Sequence, residues 1–298
     1  MYRGHALIQQ PIEAFFQTTK HHCLFHCVQR SCVAFNYDND NQLCEIHIGF
    51  ESDCSIEATA TKTYYFSDGF APSDCLPLPV SCSEISSRGV TQDGLYEILP
   101  PTYSTPLQVY CEDLVDGGWV RIQRREDGSI DFYRNWAEYK SGFGSVSGEH
   151  WLGNEHIHAL TNGSTPTKLK IKLTYFNTNE YEAMYTNFTV GDEASLYTVN
   201  ALGYSGNAGD CFGGWLASPA EATNGYPFST QDSDNDDAVT NSCATLFTGP
   251  WWYNACAMCS LNGRYPTGGT CPVSDSDCMW YEHISLSLPI KFSTMLIQ

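Results

Sequence analysis

Fourteen cysteines in 298 residues constrain this chain more than any other feature. Thiols at that density hold metal, do redox chemistry or pair as disulfides. The one C-x-x-C, Cys256 to Cys259, sits among Trp, Tyr and Asn with no partner pair at zinc-finger spacing, so a disulfide framework is the better reading. Such a framework belongs outside the cell. The sequons Asn162-Gly163-Ser164 and Asn187-Phe188-Thr189 agree with that compartment and make Asn162 and Asn187 candidate glycosylation sites. The first residues, Met1-Tyr2-Arg3-Gly4-His5, lack the apolar stretch of a signal peptide, so the expectation is a secreted protein whose leader is missing from this sequence.

With 15 basic against 34 acidic side chains the formal net charge is −19. An acidic surface repels phosphate backbones and anionic lipid, which disfavours nucleic-acid binding. No apolar run reaches the roughly 20 residues of a membrane helix, so no membrane insertion is expected. A content of 42% hydrophobic and 13% aromatic residues is enough to build a large core.

A Pro-rich break, Asp68-Gly69-Phe70-Ala71-Pro72 to Leu76-Pro77-Leu78-Pro79, divides the chain. Residues 12–68 form a first domain, 69–81 a linker and 82–298 a second domain. The first domain is too small to be comfortable without staples. Cys23 and Cys27 lie one turn apart on a predicted helix, followed by predicted strands at Cys32-Val33-Ala34-Phe35-Asn36-Tyr37 and Cys44-Glu45-Ile46. These elements resemble the PAN/apple module, a small disulfide-rich α+β domain. That resemblance implies bridges from Cys23 to Cys44 and from Cys27 to Cys32, with Cys54 and Cys75 left over.

In the second domain Trp119-Val120-Arg121-Ile122-Gln123 alternates like a strand, and Asp127-Gly128 reads as a hairpin turn. The run Asp116-Gly117-Gly118-Trp119 to Arg125, then Asp131-Phe132-Tyr133-Arg134-Asn135-Trp136, Glu149-His150-Trp151-Leu152-Gly153-Asn154-Glu155, Phe228-Ser229-Thr230 and Trp251-Trp252-Tyr253 follow in order. Together they resemble the fibrinogen-like C-terminal domain of fibrinogen chains, ficolins, tachylectins, angiopoietins and tenascins, over residues 82–298. The resemblance implies an α+β fold with a twisted, mainly antiparallel sheet and a loop-rich region carrying calcium and a ligand pocket. It makes Trp119, Trp136 and Trp151 core residues, and pairs Cys82 with Cys111 and Cys243 with Cys256. Of the four remaining cysteines, Cys271 and Cys278 bracket a turn-rich loop, which leaves Cys211 for Cys259; four cysteines allow three connectivities, and the others stay open.

Asp232-Ser233-Asp234-Asn235-Asp236-Asp237 crowds four carboxylates into six residues, an arrangement that a hard cation relieves and that a solvated turn also tolerates. It is not an EF-hand loop, since Asp237 and Cys243 stand where Gly and Glu are required. It does fit the fibrinogen-like pattern, which implies calcium (Ca2+) held by the carboxylates of Asp234 and Asp236 and the carbonyls of Ala238 and Thr240. One residue is inserted before Cys243 relative to the commonest family spacing, which leaves the carbonyl register open.

Relatives that bind acetylated sugars use a pocket just C-terminal to this loop. Carried over, it comprises Phe247, a cis peptide from Ala255 to Cys256, and Ala257 in place of the family His, with Trp251, Trp252, Tyr253 and Tyr265 as aromatic walls. Without the imidazole, altered or weaker acetyl binding is expected. The leading expectation is a calcium-dependent lectin of innate immunity with glycans as partners. The alternative is an extracellular adhesion or signalling ligand that binds a protein receptor or matrix component. Neither is an enzyme: no nucleophile motif stands beside His21, His22, His26, His156 or His158. With no collagen-like or heptad stretch in the sequence, oligomers are expected only through disulfides, head-to-head packing or a segment not included.

Overall fold

The computed structural model describes residues 78–213, 221–271, 278–281 and 289–298, together with the backbone of short strands before residue 67. Its contacts divide into two units, residues 1–108 with 113–118, and residues 109–112 with 119–298.

In the first unit, strands Tyr2–Arg3, Lys62–Phe66, Ala34–Asp38, Leu43–His47 and Glu13–Phe15 lie in that order in one antiparallel sheet. The strands expected around Phe35 and Glu45 therefore have backbone counterparts, with Asn36 opposite Glu45. The helix expected at Cys23 to Cys27 and the bridges assigned to Cys23, Cys27, Cys32 and Cys44, with Cys54 and Cys75, lie outside the described residues or side chains. The apple-like module thus stands on sequence resemblance alone. Further along, the helix Cys82–Ser87 starts at Ser81, whose hydroxyl accepts the Glu84 N–H at 3.2 Å, a conventional N-cap. Ile85 and Ile98 are fully buried in this unit.

The second unit is built on one sheet. Seven of its nine strands lie in one row: β1 (Trp119–Arg125), β2 (Phe143–Gly144), β3 (His150–Trp151), β4 (Leu169–Tyr175), β5 (Glu180–Val190), β6 (Val199–Gly206) and β7 (Ile290–Ile297). They lie in the order β2-β3-β1-β7-β4-β5-β6, every neighbouring pair antiparallel. Strand β4 shows the alternation of a one-sided strand, with Leu169, Ile171, Leu173 and Tyr175 buried and the residues between them half-buried. In β1, six of the seven residues are buried, because this central strand is covered on both faces. Arg121 and Gln123 on this strand are paired accordingly. Arg121 bonds Glu112 through two nitrogens and stacks 3.8 Å from the Tyr110 ring, while Gln123 donates to the Leu261 carbonyl at 2.9 Å.

Aromatic rings fill the core next to this sheet. Phe228 lies 5.2 Å from both Tyr139 and Trp252, and Trp252 lies 5.1 Å from Trp251. Trp119 and Trp151 are buried as expected of core residues. Trp136 is not: it is half-exposed, because its indole N–H is turned outward to the exposed Glu193 carboxylate at 3.0 Å.

Asp127-Gly128 does not close a hairpin. The chain leaves β1 and runs on to the helix Trp136–Ser141. What shapes this turn is Glu149, a fully buried carboxylate from a distant segment. Its Oε1 accepts the N–H groups of Glu126, Asp127 and Gly128 at 2.8, 3.3 and 3.1 Å, and its Oε2 accepts that of Ile130 at 3.0 Å. The same carboxylate stands 3.5 Å from the buried Arg125 guanidinium. Glu149→Gln replaces one acceptor oxygen by an N–H donor aimed at these amides, and is expected to cost about 3 kcal/mol. Chemical denaturation checks this; a loss below about 1 kcal/mol excludes the clamp as a main support of the domain.

His150 follows immediately, with its ring nitrogens 3.0 Å from the Gly148 carbonyl and 3.2 Å from the Arg121 carbonyl. Burial pushes its pKa down, and the charges of Arg121 and Arg124 add to this, outweighing the two carbonyls that favour the cation. A depressed imidazole pKa means that the unfolded chain takes up its proton first. The contribution of His150 is therefore complete above the ordinary value near 6.5 and shrinks as the pH falls below it, until the folded protein also protonates. Unfolding free energy measured across this range should fall with acid more steeply in wild type than in His150→Gln.

Candidate recognition site

The acidic loop hangs from a two-stranded ladder in which Phe228 pairs with Trp252 and Ser229 with Trp251. Asn235 anchors it, donating from Nδ2 to the Phe228 carbonyl at 2.8 Å and from its backbone N–H to the Ser229 hydroxyl at 3.0 Å. The four carboxylates of the cluster are not equivalent. Asp232 turns back to the fold, where its Oδ1 accepts the Trp136 N–H and the Thr230 hydroxyl. Asp234 is exposed. Asp236 is half-buried, with Oδ1 accepting the Ala238 N–H at 2.9 Å and Oδ2 the Cys243 N–H at 2.8 Å. Burial and the neighbouring Asp234 carboxylate raise the pKa of Asp236.

This arrangement is chemically suited to a hard cation. Two carboxylates press on one another, and the Ala238 and Thr240 carbonyls accept no hydrogen bond from a described residue. Among the described residues no three Asp, Glu, His or Cys side chains converge as a metal cage, so any cation here depends on carbonyl and water oxygens as well.

The loop is joined to the segment behind it. The Asp237 N–H donates to the Asn254 carbonyl at 3.0 Å, and the Asn254 N–H donates to the Cys256 carbonyl at 2.7 Å. The Ala255–Cys256 peptide is cis, and Cys256 is bridged to Cys243 with Cα atoms 5.8 Å apart. Cys211 is bridged to Cys259 and Cys271 to Cys278, at Cα separations of 5.5 and 5.8 Å. Cys82 and Cys111 are each disulfide-bonded.

Of the residues expected to form one aromatic pocket, Phe247 and Tyr253 lie together while Tyr265 faces elsewhere. Phe247 is half-exposed and stacks on Tyr253 with centroids 6.2 Å apart. Trp251, Trp252 and Tyr253 are fully buried and belong to the core, where Trp252 donates to the Tyr197 carbonyl and Tyr253 to the Gly249 carbonyl. Tyr265 turns its ring to another cavity, lined with Arg125, Phe132 and Thr248 but not with Phe247 or Ala257. Its hydroxyl is bonded to the Glu126 and Lys291 carbonyls. Ala255 is exposed, Cys256 half-exposed and Ala257 buried at 5% exposure.

Sequence reasoning passed over two apolar residues that flank this region. Val239, inside the acidic loop, is 98% exposed, and Leu246, on the short helix Cys243–Leu246, is 51% exposed. A valine standing among polar loop residues was the available signal. The candidate glycosylation residues are placed differently: Asn162 is exposed at the end of the helix Asn154–Thr161, whereas Asn187 is half-buried within β5.

Comparison with known proteins agrees with this architecture. Residues 78–298 match the family described as fibrinogen beta and gamma chains, C-terminal globular domain. Angiopoietin-4 of Bos taurus is 42% identical over 185 residues, covering 62% of this chain and 35% of that protein. Fibrinogen C domain-containing protein 1-A of Xenopus laevis is 37% identical over 226 residues, 74% of this chain and 47% of that protein. Among solved structures, the fibrinogen-like globe domain of human ANGPTL2 is 36% identical with a TM-score of 0.67, covering 74% of this chain and 98% of that one. A lamprey fibrin D-dimer complexed with the peptide Gly-His-Arg-Pro-amide is 31% identical with a TM-score of 0.68, covering 78% of this chain and 77% of that one. The chain belongs to the fibrinogen C-terminal domain family. It spans less than half the length of the angiopoietin and Xenopus relatives named here.

Burial of Ala257 limits what can be restored there. Ala257→His, which reinstates the family side chain, is expected to destabilise the domain by about 1–3 kcal/mol through overpacking. Thermal melting against wild type checks this, and an unchanged melting temperature would show an open space beside Ala257.

Proposed function

We propose that this chain is the recognition head of a secreted, non-enzymatic ligand that binds a protein receptor or matrix component outside the cell, with calcium organising the binding loop. The observation that carries this reading is the exposure of Val239 and Leu246 beside the acidic loop. A side chain 98% exposed gains nothing for the fold, whereas burying apolar surface against a partner is the dominant favourable contribution to association. The relatives point the same way, since they include angiopoietins, and one solved relative is complexed with a peptide. Oxidised cysteines among the described residues suit an extracellular setting.

A protein partner is preferred over an acetylated sugar for a stated reason. The acetyl pocket implied by the sequence resemblance has a buried methyl where relatives present an imidazole, and Trp251, Trp252 and Tyr253 are occupied by the core. Calcium fits as the organiser of the loop because Asp234, Asp236 and the carbonyls of Ala238 and Thr240 supply hard oxygen donors.

Retention of the purified chain on cells or matrix in calcium, with and without chelator, tests the reading. Val239→Asp with Leu246→Asp should weaken protein-dependent retention at least ten-fold, the equivalent of about 1.4 kcal/mol, while leaving the melting temperature unchanged. Asp234→Ala with Asp236→Ala should abolish both retention and the rise in melting temperature on adding calcium. Retention that survives protease treatment of the surface but is lost on deglycosylation would favour the lectin reading instead.

A further inference from the structure

A second cavity, away from the acidic loop, has chemistry that nothing above employs. It measures about 430 Å³ and is lined by Arg125, Ser129, Asp131, Tyr133, Arg264 and Tyr265, among others. That volume holds a single sugar ring with water to spare.

Arg125 is the unusual member of this lining. Its side chain is only 1% exposed. Its Nε approaches Glu149 at 3.5 Å, and its Nη1 donates to the Gly263 carbonyl at 2.6 Å. Its Nη2 has no partner among the described residues. Glu149, its one counter-charge, is already committed to four backbone N–H groups. A buried guanidinium held by one shared counter-charge, the Leu261 and Gly263 carbonyls and the Phe132 face still has Nη2 to offer a further anion, and its planar fork suits an oxyanion. Phe132 closes one side, its ring centroid 3.9 Å from the guanidinium carbon. At the rim Arg264 is exposed and makes no ion pair with a described residue.

The rest of the lining argues against a bare anion. Asp131 is exposed, with one oxygen held by the Tyr133 N–H, and would repel phosphate or sulfate. A carboxylate does accept hydrogen bonds from neutral hydroxyls, and the hydroxyls of Ser129, Tyr133 and Thr248 also exchange them readily. The Tyr265 ring offers an apolar face for C–H groups, held in place because its hydroxyl is engaged twice and because Gly128 leaves room: a Cβ there would lie 2.8 Å from the ring. Two guanidinia, one carboxylate, three hydroxyls and an aromatic face together describe a ligand that is both an anion and a polyol.

We infer that this cavity binds a sugar acid, a pyranose bearing a carboxylate, with the carboxylate between Arg125 and Arg264 and the ring hydroxyls toward Asp131 and Ser129. The site is separate from the acidic loop and does not depend on calcium. Sodium glucuronate is the probe, titrated into the full chain at fixed ionic strength and followed by saturation-transfer NMR or calorimetry. Binding in the millimolar range is expected, roughly ten-fold or more tighter than for glucose or methyl glucuronate and unaffected by chelator. Arg264→Ala, a surface change that should leave the melting temperature alone, is expected to weaken glucuronate about ten-fold; Arg125→Lys, which keeps the charge and loses the fork, should weaken it as well. Equal affinity for glucuronate and glucose, displacement by sulfate at equal concentration, loss on chelation, insensitivity to Arg264→Ala, or no saturation below about 50 mM would each overturn the assignment.

Discussion

One buried carboxylate holds this domain's central strand to its surroundings. Glu149 collects four amide hydrogens from the turn after β1 and stands beside the Arg125 guanidinium. A carboxylate with no solvent access is costly unless hydrogen bonds replace its water, and here the backbone supplies them. The turn it fixes leads to Phe132, which packs against Arg125, and to the helix Trp136–Ser141, which begins against Asp232 of the acidic loop. Core, cavity and acidic loop are therefore connected through the conformation of a few residues between 126 and 136.

The acidic loop shows a related economy. Asp232 serves the fold, Asp234 is exposed, and Asp236 divides its oxygens between two backbone donors while remaining close enough to Asp234 to be raised by it. Sequence crowding alone does not distinguish these roles. The hydrogen bonds from Asp237 to Asn254 and from Asn254 to Cys256 tie the loop to the segment that is bridged to Cys243.

Much of this was legible in the sequence, because motifs in order along two hundred residues report local constraints. The alternation from Trp119 to Gln123 marks a strand whatever surrounds it. Where the reading failed, a distant partner decided the outcome. Asp127-Gly128 looks like a hairpin signal, yet Glu149 claims its amides and the chain continues to a helix. Trp136 looks like core until Glu193 draws its indole N–H outward. Trp251, Trp252 and Tyr253 could be pocket walls or core, and only the ring contacts with Phe228, Phe212 and Phe247 separate the two. The Arg125 cavity had no sequence signature, since its lining is gathered from three separate stretches.

The position of β7 bears on how the domain is made. Residues 290–297 lie between β1 and β4 and pair with both, so the middle of the sheet is supplied by the strand that follows all its others in the sequence. Until it emerges from the ribosome, β1 and β4 each present an unpaired edge, the kind of surface that recruits other nascent chains. Closing the sheet brings together residues 115 to 177 positions apart, a non-local event and hence a slow one. Loss of residues 290–297 would therefore split the sheet between β1 and β4, and so cost the domain its middle and not merely an edge.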